Sequence, residues 1–204
     1  MLPKVKLLFV FPFTIILDLR DNTMTIDDNS LDLTKLKTRS TVGKISFVGS
    51  PAVGKTTLMK LLTQKNIEKK YNPTQGFDLG TLDFEGMKLK IWDFGGQKAY
   101  LKHYMSQYIE GSDIVFVVTD SSPKNVLSTK ELVSHTKSLF PEDCAKIVAL
   151  ANKQDIDGHL SPKMVKDVLQ IPTYGITAID QEQRRILVEI INVIMEEIEK
   201  EKNV

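Results

Sequence analysis

A loop bounded by two glycines limits the folds that this chain can adopt. Residues 45–62 read ISFVGSPAVGKTTLMKLL, which is an apolar run, then the loop at 49–56, then apolar residues at helical spacing. The loop fits the pattern G-x-x-x-x-G-K-[ST], and it has the strand before it and the helix after it that this pattern requires. Backbone N–H groups in such a loop converge on phosphate oxygens, and the helix start adds a positive dipole end. The sequence therefore predicts a strand–loop–helix unit that holds a nucleoside di- or triphosphate.

The side chains at the end of this loop have separate expected roles. We expect Lys55 to reach the β- and γ-phosphates and the Thr56 hydroxyl to ligate Mg²⁺, while the Thr57 N–H meets the α-phosphate. The rest of the predicted phosphate cradle is the loop itself, namely Gly49, Ser50, Pro51, Ala52, Val53 and Gly54.

Apolar runs with strand character alternate with helical patterns along most of the chain. The runs lie at 44–49, 77–84, 87–94, 113–120, 146–152 and, more weakly, 174–178, and the clearest helical patterns are TTLMKLLTQK, VLSTKELVSHTKSLF and RILVEIINVIMEEIEK. This alternation predicts an α/β fold, with a mostly parallel sheet covered by helices on both faces. Two of the runs are joined across Glu85 and Gly86, which predicts a hairpin and hence one antiparallel strand.

The segment NKQD, from Asn152 to Asp155, follows a predicted strand at the sheet edge where α/β folds bind ligands. A carboxylate at Asp155 can accept hydrogen bonds from the N1–H and the exocyclic amine of guanine, whereas adenine has neither donor in that position. We expect Asn152 to brace the loop and Lys153 to cover the base with its aliphatic stem. Farther on, Thr177 and Ala178 end the weak strand, and the Ala178 N–H is predicted to meet guanine O6. These residues predict a guanine site.

Two further segments carry the residues that would sense the third phosphate. In WDFGGQ, Asp93 ends a strand where its carboxylate can hold Mg²⁺ directly or through water, and Gln97 can orient an attacking water. Gly95 and Gly96 allow the chain to turn so that a backbone N–H can point at the γ-phosphate. In NPTQGF, the Thr74 hydroxyl is expected to complete the Mg²⁺ shell. The predicted catalytic residues are Lys55, Thr74 and Gln97, and the predicted metal ligands are Thr56, Thr74 and Asp93.

Taken together, GSPAVGKT, PTQG, WDFGGQ and NKQD resemble the motifs of the Ras-superfamily small GTPases over about residues 44–200, and most resemble the Arf and Arf-like branch. The resemblance implies a three-layer P-loop NTPase fold, with a six-stranded sheet, one antiparallel edge strand and five helices. It also implies GTP or GDP with Mg²⁺ as cofactors, slow GTP hydrolysis, and switch segments around Thr74 and around Gly95 to Gln97. Effector, exchange and GTPase-activating proteins are the partners it implies, in membrane trafficking or signalling.

Other functions stay open on the residues alone. A GTPase-like scaffold that holds nucleotide without turnover is the main alternative, because Pro51 stands near the place where the arginine of an activating protein would enter. Gln97 favours the enzyme over this alternative. A P-loop kinase or ATPase is disfavoured by Asp155. Myristoylation is not predicted, because the chain begins Met1-Leu2 rather than with glycine after the methionine.

The first 41 residues are predicted to be an extension, and residues 42–204 the GTPase domain. Residues 5–17 are almost wholly apolar, but they are interrupted by Pro12 and are shorter than the roughly 20 residues of a spanning helix. Three interpretations remain open for them: a segment that docks on a membrane or partner, a weak signal peptide, or translated sequence upstream of a start at Met24. Residues 21–41 are predicted to be a polar linker.

Composition adds expectations about partners and location. The chain has 27 Lys and Arg against 26 Asp and Glu, so its net charge implies no affinity for nucleic acid. The single cysteine, Cys144, is predicted to be a small core residue in a reducing compartment. We expect a cytoplasmic monomer, with peripheral membrane association through the N-terminal apolar segment as one open interpretation.

Overall fold

The computed structural model describes residues 5–10, 13–18, 23–26, 43–67, 72–84, 87–140 and 144–202. The chain divides into two compact units, Met1–Arg39 and Ser40–Val204.

The first unit contains a small antiparallel sheet. Its strands are β1 (Val5–Val10), β2 (Phe13–Asp18) and β3 (Thr23–Ile26), in the order β1-β2-β3. The apolar segment at 5–17 supplies β1 and nearly all of β2, and β3 lies inside the stretch predicted to be a linker. Among the helices in the described ranges, none combines the length and apolar character needed to cross a membrane.

The second unit alternates strands with helices. Its strands are β4 (Gly43–Gly49), β5 (Phe77–Phe84), β6 (Met87–Phe94), β7 (Ile114–Thr119), β8 (Lys146–Ala151) and β9 (Thr173–Gly175). Its helices are α1 (Lys55–Leu62), α2 (Lys98–Tyr108), α3 (Pro123–Ser138), α4 (Pro162–Leu169) and α5 (Gln183–Lys202).

The six strands form one sheet in the order β5-β6-β4-β7-β8-β9. All neighbours pair in parallel except β5, an edge strand that pairs antiparallel with β6. The predicted sheet and its antiparallel edge strand are therefore confirmed, although Glu85 and Gly86 lie outside the described residues. Because β4, β6, β7 and β8 run in the same direction, their carboxyl ends meet at one edge of the sheet.

Each face of the sheet has its own apolar core. Helices α1 and α5 cover one face, through fully buried residues such as Leu58 and Ile191 packed near Phe47 and Phe116. Helices α2, α3 and α4 cover the other face, where Met105 is among the buried residues. Helices on both faces are thus confirmed, and the two cores fix the sheet edge that carries the loops.

Helix α4 lies outside the three clearest helical patterns in the sequence. Ser161 accepts a hydrogen bond from the Met164 N–H, and Pro162 follows it at the first helical position. A serine cap followed by proline is a start signal that the sequence carries. The helix has only eight residues, and this short length explains why apolar periodicity alone does not reveal it.

The prediction that Cys144 is a core residue is wrong, because its side chain is exposed. The apolar run that contains it becomes a strand only at Lys146, where β8 begins, and burial starts at Ala145. Cys144 therefore belongs to the connection before the strand.

Lys44 fastens the end of α2 to the sheet. Its Nζ donates to the backbone oxygens of Tyr108 and Glu110, the latter at 2.7 Å, and lies 4.7 Å from the centre of the Trp92 ring. Burial lowers the pKa of Lys44, and the nearby Glu110 charge opposes that shift. A cation near a helix C-terminus is stabilised by the helix dipole.

We expect Lys44→Met to lower the free energy of unfolding by about 1 kcal/mol, because the last carbonyls of α2 lose their donor and Trp92 loses its cation. Urea unfolding measures this change, and the emission of Trp92, the single tryptophan in the chain, reports the altered ring environment. Lys90→Met is the control, since Lys90 is exposed and donates to Thr81 Oγ1 at 3.2 Å. Equal losses in both variants would contradict the anchoring role.

Candidate nucleotide-binding site

A cavity of about 1760 Å³ lies among the loops that follow the strands of the second unit. Its walls come from the loop after β4, the start of α1, the segment before β5, the loop after β6, and the loops after β8 and β9. These loops are close in space because parallel strands end at one edge of the sheet. The cavity is where the sequence motifs were predicted to meet.

The loop between β4 and α1 has the backbone that its glycines and proline favour. Pro51 and Ala52 are exposed, and Ala52 has a φ of 61°. Gly54 has a φ of 104° and is the N-cap of α1, and its carbonyl accepts the first helical hydrogen bond from the Leu58 N–H at 2.9 Å. An added Cβ at Gly54 would lie 2.2 Å from Asn152 Nδ2. Glycine is therefore required at position 54, both for its φ and for space.

Lys55 is held by its own loop. Its side chain is 6% exposed, and its Nζ donates to Gly49 O at 3.0 Å and to Ser50 O at 2.8 Å. Burial lowers the pKa of Lys55 to about 8, and the charge of Asp93 opposes the shift. The arrangement places a cation inside a ring of backbone groups at the start of a helix, which suits a phosphate chain.

Three side-chain oxygens converge below the loop. Thr56 Oγ1 donates to Asp93 Oδ2 and lies 3.0 Å from Thr74 Oγ1, and Thr74 Oγ1 donates to the same carboxylate oxygen at 3.4 Å. These are the three residues predicted as metal ligands, and they come from α1, the segment before β5, and β6. The fold brings them together because β5 and β6 pair with Asp78 opposite Asp93.

One carboxylate oxygen of Asp93 can still accept a hydrogen bond or bind a metal at this cluster. Its Oδ1 is buried and has no hydrogen-bond partner among the described residues. Burial raises the pKa of Asp93, against hydrogen bonds from Thr56 and Thr74 and the charge of Lys55. A buried, unpartnered carboxylate oxygen beside two hydroxyls is the donor set that Mg²⁺ prefers. The residues therefore fit the metal that the motifs imply.

The glycines after β6 pack directly against the loop after β4 and the segment before β5. The Gly95 N–H donates to Gly76 O at 2.8 Å, and the contact of an N–H of this turn with the γ-phosphate stays a prediction. A Cβ on Gly96 would lie 2.4 Å from Pro51 N. Gln97 is exposed, precedes α2 as its N-cap, and lines the cavity.

Asn152 connects the loop after β4 to the segment after β9. Its Nδ2 donates to Val53 O at 2.7 Å, its Oδ1 accepts from the Ala178 N–H at 3.0 Å, and the residue is 1% exposed. These two hydrogen bonds tie its loop to both neighbouring segments, while its role toward a bound nucleotide stays a prediction. The Ala178 N–H, which was predicted to meet guanine O6, has Asn152 Oδ1 as its acceptor, and the contact with the base stays a prediction.

Most of the predicted site residues line the cavity. Those that do are Pro51, Ala52, Gly54, Lys55, Thr56, Thr57, Thr74, Gly96, Gln97, Asn152, Lys153, Asp155 and Ala178. Gly49, Ser50, Val53, Asp93 and Thr177 do not line it; Val53 and Asp93 are fully buried behind it. Asp155 is exposed and lines the cavity from the loop after β8.

Two residues that were not predicted as site residues support the NKQD segment from behind the cavity: Ser121, which lies outside the motifs, and Gln154, the third residue of NKQD. Ser121 is fully buried, and its Oγ donates to Asn152 O at 2.7 Å. Gln154 Nε2 donates to Ser121 Oγ at 2.9 Å. One signal was available for Ser121: it lies two residues after the end of β7, at the edge of the sheet where α/β folds place functional residues.

Comparison with known proteins agrees with this geometry. A model of the ADP-ribosylation factor family matches residues 30–202. The chain is 35% identical over 147 residues to ADP-ribosylation factor-like protein alp41 of Schizosaccharomyces pombe, covering 69% of this chain and 74% of that protein. It is 35% identical over 138 residues to ADP-ribosylation factor-like protein 3 of Chlamydomonas reinhardtii, covering 67% and 76%. It is 34% identical over 142 residues to ADP-ribosylation factor-like protein 2 of Dictyostelium discoideum, covering 68% and 75%.

Proposed function

Since the chain belongs to the ADP-ribosylation factor family of Ras-superfamily GTPases, we propose that the cavity described above is its GTPase site and that the turnover there is slow. The protein binds GTP and GDP with Mg²⁺ and hydrolyses GTP to GDP and phosphate. The observation that carries the proposed location is the convergence of Thr56, Thr74 and Asp93 beside Lys55. We place the GTPase domain at residues 42–204.

The phosphate chain lies along the loop from Gly49 to Thr57. Backbone N–H groups of the loop and the start of α1 face the phosphate oxygens, and Lys55 exchanges its two carbonyl acceptors for β- and γ-phosphate oxygens. Thr56, Thr74 and Asp93 hold the metal at their clustered oxygens. Bound there, Mg²⁺ supplies positive charge that offsets the negative charge of the β- and γ-phosphates.

Hydrolysis needs a water placed in line with the bond that breaks. Gln97 is the residue for this task, because it is exposed into the cavity directly after Gly96, whose backbone touches the phosphate loop. Its side-chain amide can accept from and donate to the attacking water, and the Gly96 N–H can face the γ-phosphate. A single neutral side chain on an exposed turn gives a modest rate, which is why we propose slow turnover.

Guanine is selected on the other side of the cavity. Asp155 accepts from the N1–H and the exocyclic amine of the base, the Lys153 stem covers the ring, and Thr177 and Ala178 close the site from the β9 side. Asn152 holds this wall to the phosphate loop. Because the carboxylate would face no donor on adenine, the site discriminates against ATP.

The protein acts as a switch through the segments at Thr74 and at Gly95 to Gln97. Both segments contact the place of the γ-phosphate, and they contact each other through the hydrogen bond from Gly95 to Gly76. Loss of the γ-phosphate removes ligands from both segments at once, so their surfaces differ between the GTP and GDP forms. Effector, exchange and GTPase-activating proteins bind these surfaces.

Membrane trafficking or signalling is the proposed setting, with the apolar N-terminal segment as a peripheral membrane contact.

We expect Gln97→Leu to slow single-turnover hydrolysis of radiolabelled GTP about tenfold or more, because leucine cannot orient the attacking water. The dissociation constant for GTP should change less than about threefold, since Gln97 carries none of the loop or base contacts.

Gln107→Leu is the matched control, since Gln107 is exposed on α2, the helix that Gln97 precedes, and does not line the cavity. Wild type and this control should hydrolyse GTP at equal rates. If Gln97→Leu also matched them, another group would be orienting the water, and the role given to Gln97 would be wrong.

A further inference from the structure

We propose that Ser121 and Gln154 are positioning residues for guanine specificity: they fix the backbone of the loop that carries Asp155. The inference rests on the proposed role of Asp155 as the group that reads the base. It assigns a function to Ser121, which lies outside the motifs, and to Gln154, the variable position of NKQD, and it makes the turn after β7 part of the site that selects the base.

Asp155 depends on its loop for its position. It is exposed at the cavity wall. The turn that carries it is closed by a hydrogen bond from the Ile156 N–H to Lys153 O at 3.1 Å. A carboxylate that must meet two donors on one base edge needs a fixed backbone. That backbone must therefore be held by its neighbours, of which Gln154 is adjacent.

The side chain of Gln154 is held by two acceptors. Its Nε2 donates to Ser121 Oγ at 2.9 Å and to Leu160 O at 3.2 Å, and its backbone N–H points to Ile176 O at 3.4 Å. Ser121 lies two residues after β7, Leu160 two residues before α4, and Ile176 directly after β9. The side chain and backbone of the residue before Asp155 thus tie its loop to three other connecting segments.

Ser121 is the centre of this arrangement. It is fully buried, its Oγ donates to Asn152 O at 2.7 Å while accepting from Gln154, and its carbonyl accepts from the Leu160 N–H at 2.8 Å. One hydroxyl therefore contacts the first and third residues of the NKQD motif. The Ser121 N–H in turn points to Thr119 Oγ1 at 3.3 Å.

The backbone at this centre is strained. Ser121 has a φ of 63° and Lys153 a φ of 62°, in the left-handed region that residues other than glycine rarely occupy. A strained serine that glycine could replace without steric cost suggests that the side chain is needed. We infer that the side chain is needed for the two hydrogen bonds that its hydroxyl makes to Asn152 and Gln154.

The test compares GDP with inosine diphosphate, which lacks the exocyclic amine and so loses one of the two proposed donors to Asp155. Dissociation constants come from competition against a fluorescent GDP derivative, with the full chain and Mg²⁺. For Ser121→Ala and Ser121→Gly we expect GDP to bind about tenfold more weakly, and the preference for GDP over inosine diphosphate to fall about threefold or more. Gln154→Met should act in the same direction.

Ser121→Gly separates the effect of losing the hydroxyl from the effect of backbone strain. Glycine accepts the φ of 63°, so this variant should fold even where alanine destabilises the chain.

Ser112→Ala is the matched control. Ser112 is 4% exposed, its Oγ donates to Ile109 O at 2.6 Å and lies 2.8 Å from Ser46 Oγ, and it precedes β7 at the opposite edge of the sheet. It should leave the preference unchanged.

The results separate this inference from the proposed function. A wild-type chain without preference for GDP over both inosine and adenosine diphosphates would overturn the proposed role of Asp155. A wild-type preference that persists in Ser121→Gly and Gln154→Met, or that falls equally in Ser112→Ala, would overturn only the positioning role. A loss of preference confined to the Ser121 and Gln154 variants supports it.

Discussion

The variant Asp155→Asn is expected to bind GDP about 1000-fold more weakly than the wild-type chain and to bind xanthosine diphosphate more tightly than GDP. Guanine presents two donors to the carboxylate, and asparagine can accept only one of them while its own NH₂ opposes the exocyclic amine. Xanthine carries a carbonyl in place of that amine, which suits the NH₂ group. Binding of both nucleotides is measured by displacement of a fluorescent derivative in Mg²⁺ buffer.

Asp157→Asn is the control for this exchange. Asp157 is exposed two residues farther along the same loop and does not line the cavity, so both affinities should stay at the wild-type values. Should Asp155→Asn retain wild-type affinity for GDP, the base would be read elsewhere and the proposed orientation of the nucleotide would have to be abandoned.

Gly54→Ala is expected to lower the free energy of unfolding by about 5 kcal/mol and to abolish measurable GDP binding. The added Cβ meets Asn152 Nδ2 at 2.2 Å on a backbone with φ of 104°. The amide of Asn152 would have to move, which breaks its bonds to Val53 O and to the Ala178 N–H. Strain, overpacking and lost buried hydrogen bonds therefore add.

Gly158→Ala isolates the first of these contributions. Gly158 also has a positive φ, of 77°, but an added Cβ there meets nothing within 4 Å. Its loss should be about 1 kcal/mol, with GDP affinity retained. Chemical denaturation of the three proteins gives the comparison, and losses of similar size at Gly54 and Gly158 would show that the contact with Asn152 is not limiting.

The motifs made much of this molecule predictable because each combines a chemical requirement with a fixed place in the chain. GSPAVGKT needs a strand before it and a helix after it, and β4 and α1 are there. The two apolar runs between Phe77 and Phe94 predicted the antiparallel edge pair. Thr56, Thr74 and Asp93 could be brought together because all three lie next to predicted strand or helix ends.

What escaped prediction depends on contacts between segments far apart in the chain. Ser121 and Gln154 are separated by 33 positions and share no pattern, so only the parallel pairing of β7 with β8 shows that they touch. The acceptor of the Ala178 N–H, Asn152 Oδ1, is 26 residues away. Cys144 was misjudged because an apolar run does not reveal the residue at which a strand begins.

Asn152 spans the cavity floor from Val53 to Ala178, and this has a kinetic consequence for how the ligand leaves. The proposed phosphate-binding loop and the proposed base-binding segment are both hydrogen-bonded to this one side chain. Movement of either segment away from the nucleotide therefore disturbs the other. We expect the nucleotide to depart in a single concerted event. An exchange protein that displaces either segment would weaken the nucleotide contacts of both.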